Sequence, residues 1–204
     1  MTKMSTPVRE SDIDRVRELA SIGAGHASKA LADLLGRPCR MRVPVVSVLD
    51  PGHADAALMA EDDHEGRRDM AGVFFGVDGG LGGVLALMIP SATRDQLVET
   101  LVGTSPRQVS EEAASSALRE FGNILVSHVV SAMADTLGVA VFPSVPLLVQ
   151  EDAPGALASL VALRASDSPS LRVETEISDR GGAIRGILIF VPDRATVIAT
   201  PSRF

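Results

Sequence analysis

The stretch "DRVRELASIGAGHASKALADLLGRPCRMRVP", residues 14–44, aligns without a gap to "SALREFGNILVSHVVSAMADTLGVAVFPSVP", residues 116–146. At this spacing of 102, eleven positions are identical: Arg17/Arg119, Glu18/Glu120, Ile22/Ile124, His26/His128, Ala30/Ala132, Ala32/Ala134, Asp33/Asp135, Leu35/Leu137, Gly36/Gly138, Val43/Val145 and Pro44/Pro146. Average composition would give roughly two matches by chance over this length. The same spacing sets Gly79-Gly80 against Gly181-Gly182 and Ile89-Pro90 against Val191-Pro192. The chain is therefore a tandem duplication.

The duplication decides what the glycines of the first copy mean. Gly23, Gly25 and Ser28 come close to the G-x-G-x-x-G spacing of a dinucleotide loop. The second copy has Leu125 and Ser127 in place of the two glycines, and no strand precedes either stretch. A phosphate-binding fingerprint requires strand, turn and helix in that order, so both stretches are read as helix. Ile13, Val16, Ala20, Ala27, Leu31 and Leu34 recur at three- and four-residue spacing and form one apolar stripe. Ser11 is the expected N-cap, Gly36 the expected C-terminal glycine, and Pro38 blocks continuation. The second helix is expected from about Ser110 to Gly138, with Glu111 and Glu112 favouring its N-terminal dipole.

A step of 100° per residue gathers Asp14, Glu18, Ser21 and Gly25 opposite the apolar stripe. Their counterparts are Ser116, Glu120, Asn123 and Ser127. Glu120 and Asn123, three residues apart, are neighbours on an exposed ridge. Ile22 and Ile124 border that ridge and are poorly placed for the core. His26 and His128 lie nearer the apolar side and are expected to be partly buried packing residues.

After each helix the pattern turns to β. "MRVPVVSVL" and "VFPSVPLLV" read as short strands, and "AGVFFGVDGGLGGVLALMIP" as a hairpin around Asp-Gly-Gly. "LRVETEISDRGGAIRGILIFVP" is its counterpart, and the alternation of Val173, Thr175 and Ile177 suggests one solvated face. "SATRDQLVETLVG", 91–103, is a short connecting helix before the junction "TSPRQ", and "ALRASDSPSL", 162–171, reads as an ordinary turn. Each half alone would expose a sheet edge and an apolar face, so the halves are expected to join edges. The expected fold is thus α/β (α+β): a pseudo-two-fold tandem repeat of helix–strand–hairpin units forming one continuous sheet, with long helices packed on it. A single domain over 1–204 is expected, made of repeat one, 11–103, and repeat two, 110–204.

Composition removes several function classes. The net charge of −7 and the absence of Trp and Tyr argue against nucleic acid, which needs a basic face or stacking platforms. The lone Cys39 leaves no internal disulfide and no multi-cysteine metal site. "MTKMSTPVRESDID" lacks the apolar run of a signal peptide, and "VLALMIP" is too short to span a bilayer. A soluble cytoplasmic protein with no membrane partner is expected. "AEDDHEGRRD", 60–69, groups Glu61, Asp62, Asp63, His64 and Glu65, but its counterpart holds no ligands, so a solvated loop is expected and no metal site. No G-x-S-x-G, H-E-x-x-H or G-K-[ST] occurs.

What remains is the ridge, with a poor helix former, Asn123, in mid-helix beside Glu120. A Ser or Asp, three residues, Glu, two residues, Asn, then twenty-two residues and Pro resembles the signature of the CheC/CheX/FliY family of chemotaxis phosphatases. The second copy matches it throughout, at Ser116, Glu120, Asn123 and Pro146; the first matches at Asp14, Glu18 and Pro44, with Ser21 where Asn belongs. "SALREFGNI", "SAMADTLG" and "IGAGHASKAL" resemble the CheC type in particular. The resemblance implies an enzyme that removes the phosphoryl group from the receiver aspartate of a phosphorylated CheY-type response regulator. It also implies that the Mg²⁺ belongs to the receiver and that this chain needs no cofactor of its own.

By the same resemblance, Asn123 orients the attacking water and Glu120 salt-bridges a receiver lysine, with Ile124 and Ser116 beside them as binding residues. An amide suits the first task because it accepts and donates at once. Glu18 and Ser21 form a degenerate first site, since a hydroxyl on a one-carbon stem neither reaches as far nor presents a fixed donor–acceptor pair. The resemblance also implies the deamidase CheD as a possible partner. The competing expectation is a binding module without catalysis, a scaffold like the flagellar-switch members of the fold or a CheD-binding regulator.

Overall fold

Two long helices cross one face of an eight-stranded antiparallel sheet in a computed structural model that describes residues 8–49, 69–164 and 169–199. In chain order the elements are α1 (Glu10–Leu35), β1 (Cys39–Met41), β2 (Val45–Leu49), β3 (Met70–Gly79), β4 (Gly83–Pro90) and α2 (Ser91–Val102). A short 3₁₀ turn (Pro106–Gln108) leads into α3 (Glu111–Leu137), β5 (Val141–Pro143), β6 (Leu147–Val149), α4 (Ala153–Arg164), β7 (Ser170–Asp179), β8 (Arg185–Pro192) and α5 (Arg194–Ala199).

The strand order is β1-β7-β8-β4-β3-β5, with β2 also on β7 and β6 also on β3. The two halves meet at β4 and β8, where Leu85 faces Phe190 and Leu87 faces Leu188. Each half also sends its first two strands across to the other half's hairpin, so the halves are interlocked. This arrangement leaves only three- and five-residue strands at the sheet edges, with Pro143 within one of them.

Helix packing follows from the apolar stripe. Val16, Leu19, Ala27 and Leu31 of α1 and Leu118, Phe121, Leu125 and Val129 of α3 are buried against Val73, Phe75, Leu85, Leu87, Val173 and Phe190 of the sheet. Each large side chain so buried contributes about 1.5–3 kcal/mol. Gly23 belongs to this packing: a Cβ there would fall 3.1 Å from Val129 Cγ1 and 3.2 Å from Met133 Cγ. The first glycine of the G-x-G-like stretch thus lets α3 approach α1, while Gly25 faces open space. Leu34, expected in the stripe, is exposed.

Three local expectations are corrected. Helix α1 is capped by Arg9, with Asp12 reaching back to the Arg9 amide at 3.0 Å, so Ser11 lies inside the first turn. The segment after β6 is the helix α4, which takes in Ala162–Arg164 of the supposed turn and buries Ala153, Leu157 and Val161 on the sheet face opposite α1 and α3. On β7 the face opposite those two helices is not uniformly solvated, because Arg172 is buried there beside its ion-pair partner Glu174, whereas Glu176 is exposed.

The repeat is gapless through the helices but not through the hairpins. Val45 opposes Glu174 and its counterpart Leu147 opposes Phe74, so Phe74 and Glu174 are equivalent at a spacing of 100. Val73 opposes Leu87 and Val173 opposes Phe190, so Leu87 and Phe190 are equivalent at a spacing of 103. The second hairpin is therefore three residues longer. At the constant spacing of 102, Ile89 would match Val191, yet Ile89 faces the long helices and Val191 the opposite core. A one-residue shift in a strand reverses the face, which overturns that part of the sequence pairing.

Candidate functional site

Helix α3 is held at its N-terminus by Ser110, whose Oγ accepts from the Ala113 amide at 3.2 Å. Glu111 follows in the first turn, 2.6 Å from the Arg94 guanidinium. Hydrogen bonding from Gln150, with the Arg94 charge, holds its carboxyl below the usual carboxylate range. Gln150 also donates to Ser115 Oγ at 3.3 Å, tying the end of β6 to the helix.

Two turns on, Gly122 lies directly on the sheet, where a Cβ would come within 2.8 Å of Val73 Cγ1. Val73 is in turn paired with Leu148 of β6. The register thus brings the segment that begins at Pro146 to the level of the helix turn carrying Asn123. The chain thus returns to the level of this turn within the twenty-two residues that separate Asn123 from Pro146.

Leu118, Phe121 and Leu125 anchor the inner side of this turn, each no more than 2% exposed. Ser116 and Glu120 are exposed on the outer side, with Asn123 and Ile124 half-buried at its margin. Neither the Glu120 carboxylate nor the Asn123 amide has a hydrogen-bond or ion-pair partner among the described residues. A carboxylate and an amide one helical turn apart, on a rigid element, can together meet a cation and a hydrogen-bonded water or oxyanion.

The equivalent ridge on α1 is differently engaged. Asp14 and Glu18 are exposed, as is Ser21. Asp14 pairs with Arg17 at 2.7 Å, and the Ser21 hydroxyl donates to the Arg17 carbonyl at 2.8 Å. Ser21 has spent its only proton on its own helix. Pro44 is buried, and Ile22 is half-buried like Ile124.

His26 and His128 are both exposed, against expectation. The stripe of α1 centres on Ala27, and His26 stands about 100° round the helix from it, far enough for the ring to turn outward. Among the described residues no group of three or more His, Cys, Asp or Glu is arranged to hold a metal ion. The acidic stretch 61–68 lies outside the described residues. No described helix is long and apolar enough to cross a membrane.

The CheC-like family model matches residues 114–149, the segment that holds Ser116, Glu120, Asn123 and Pro146. The chain is 31% identical over 196 residues to the CheY-P phosphatase CheC of Bacillus subtilis (strain 168), covering 91% of this chain and 90% of that protein. Its fold is similar to that of Thermotoga maritima FliY, with a TM-score of 0.70 at 20% identity, covering 96% of each chain. It is also similar to CheX in the CheX–CheY–BeF₃–Mg²⁺ complex from Borrelia burgdorferi, with a TM-score of 0.57 at 16% identity, over 88% of this chain and 98% of that one. The chain belongs to the CheC-like family.

Proposed function

We propose that this protein removes the phosphoryl group from the aspartyl phosphate of a phosphorylated CheY-type receiver in chemotaxis. The observation that carries the reading is the unpartnered pair of Glu120 and Asn123 on the exposed side of α3. The 31% identical relative named as a CheY-P phosphatase supports the same reaction.

In this reading Asn123 enters the receiver's active site. Its carbonyl oxygen accepts from the attacking water, and its amino group donates to a phosphoryl oxygen. The water is thereby held in line with the phosphorus, a positioning role of the kind that dominates phosphoryl transfer. Hydrolysis breaks the bond between the aspartyl oxygen and phosphorus, forms the bond to the water oxygen, and returns a free carboxylate and inorganic phosphate. Glu120 salt-bridges a receiver lysine and sets the register of the complex, while Ser116 and Ile124 extend the contact on either side. The Mg²⁺ is the receiver's, and this chain supplies neither metal nor nucleophile. The Ser21 ridge is a degenerate copy that retains Glu18 for docking.

The FliM middle domain from H. pylori has a similar fold, with a TM-score of 0.64 at 16% identity, which leaves a second reading, a binding scaffold without turnover. A scaffold has no use for an amide kept free beside a free carboxylate, and this weighs for catalysis. The test is phosphate release from a phosphorylated CheY-type receiver with and without the full chain. Acceleration that disappears in Asn123→Ala supports the phosphatase. Binding without acceleration supports the scaffold.

A further inference from the structure

The three residues that lengthen the second hairpin do more than enlarge a turn. Leu81 and Ile184 both sit in the helix-side core, 103 apart, and the amides of Gly80 and Arg180 make equivalent bonds, which sets the extra residues at Gly181-Gly182-Ala183. In the first hairpin the Gly80 amide donates to the Ala140 carbonyl at 2.9 Å, and the second keeps the same bond, from the Arg180 amide to the Pro38 carbonyl at 3.2 Å. In the second, an open cleft of about 590 Å³ lies beside the turn, lined by Arg42, Arg180, Arg185, Gly182, Pro90 and Ile187 among others.

The charge of this cleft is opposite to that of the chain. The protein carries a net charge of −7, yet arginines 37, 40, 42, 180 and 185 gather at this end of β1, β7 and β8. At the equivalent positions of the other half, Arg37, Arg40 and Arg42 become Val139, Phe142 and Ser144, and Arg185 becomes Gly82. Two carboxylates also line the cleft, and both are occupied. Glu176 pairs with Arg42 at 3.2 Å; Asp179 is buried, paired with Arg37 at 3.1 Å, and accepts from the Ile184 amide at 3.1 Å. The exposed Arg180 and Arg185 have no side-chain partner among the described residues, and the Arg185 guanidinium lies against Gly182.

From this geometry we infer that the cleft is an anion site for a small, multiply charged oxyanion, an organic phosphate or a polycarboxylate. Its volume falls within the range of small-molecule pockets. Guanidinium forks recognise carboxylate and phosphate oxygens in pairs, and two of them here lack a competing partner. The site is distinct from the Glu120–Asn123 ridge and does not depend on the reaction proposed for it.

The probes are pyrophosphate and citrate, titrated calorimetrically into the full chain at low ionic strength. One-to-one saturable binding of at least one of them is expected. Binding of pyrophosphate alone assigns the phosphate class, citrate alone the carboxylate class, and both the shared chemistry. R180Q/R185Q should weaken binding roughly tenfold or more, since a charge-assisted hydrogen bond is worth about that much. Both side chains are exposed, so the variant should melt like the parent. R107Q, on the exposed 3₁₀ turn, should bind like the parent. The inference is overturned if neither probe binds, if R180Q/R185Q binds as tightly as the parent, or if R107Q weakens binding equally.

Discussion

The Ser21 hydroxyl donates a 2.8 Å hydrogen bond to the carbonyl oxygen of Arg17, one turn earlier on the same helix. Its counterpart Asn123 has no such tie. Asn123→Ala should therefore lower phosphate release from the phosphorylated receiver about a hundredfold or more, the scale for losing one positioning group. Stability should change little, because Ala is the better helix former. Ser21→Ala should leave turnover within about twofold of the parent, as expected when only a self-satisfied surface hydrogen bond is lost. A drop for Ser21→Ala as large as for Asn123→Ala would show that the first ridge works.

Charge at position 120 should govern docking. Glu120→Lys places like charges together at the interface, whereas Glu120→Gln only removes an attraction. The lysine variant should bind the phosphorylated receiver more weakly than the glutamine variant, and added salt should narrow the gap because rim charges are screened. Equal affinities at low ionic strength would remove Glu120 from the interface. The measurement is titration of the receiver against each variant at two salt concentrations.

The two glycines of the first copy should separate in stability. Gly23→Ala adds a methyl group 3.1 Å from Val129 Cγ1 and 3.2 Å from the Val129 carbonyl oxygen, so α3 has to give by a few tenths of an ångström; overpacking of this kind costs about 1–3 kcal/mol. Gly25→Ala meets nothing within 4 Å and should stabilise the helix by about 0.5–1 kcal/mol. Thermal or urea denaturation of the two variants reads the opposite signs directly.

Acid should weaken the β1–β7 edge through Asp179. Burial alone would raise this carboxyl, but the Ile184 amide and the Arg37 charge outweigh it and hold it below the usual range. A carboxylate depressed in the folded state stabilises fully above its unfolded value, near 3.9. That contribution is lost as pH falls through the folded value. Asp179→Ala should therefore cost about 1–3 kcal/mol at neutral pH by stranding the Ile184 amide. The difference from the parent should shrink below about pH 4. Urea midpoints measured across that range test the sign.

The two long helices, the short strands, both hairpins and the joined sheet are legible in the sequence because periodicity and the duplication report them twice. Helix α4 escapes because "APGALASLVALR" is apolar nearly all round and shows little helical contrast. Its start was nevertheless marked: Asp152 accepts from the Gly155 amide at 3.2 Å, with Pro154 in the first turn. The arginine cleft escapes because it is built by a three-residue shift between equivalent strands, and an ungapped alignment conceals that shift. The ridge is legible because its residues share one helix. That Ser21 turns inward onto Arg17 depends on a rotamer and is visible only in the structure.

The last prediction rebuilds the first site. Ser21→Asn, made in a Glu120→Lys/Asn123→Ala background that disables docking and positioning at the second ridge, restores the Glu-x-x-Asn pair beside an exposed Glu18. One obstacle separates the two ridges: Asp14 holds Arg17 across the surface at 2.7 Å, whereas the place of Asp14 is taken by Ser116 in the second copy, which leaves Arg119 without that partner. A guanidinium drawn over the ridge would meet the receiver's own lysine, a like-charge contact that costs affinity. Ser21→Asn alone should thus recover only part of the lost phosphate release, and Asp14→Ser/Ser21→Asn a larger part. Receiver binding measured in parallel separates docking from turnover. If the double exchange restores binding but no turnover, positioning at the first ridge fails for a reason other than the missing amide. If it restores neither, Glu18 does not dock the receiver.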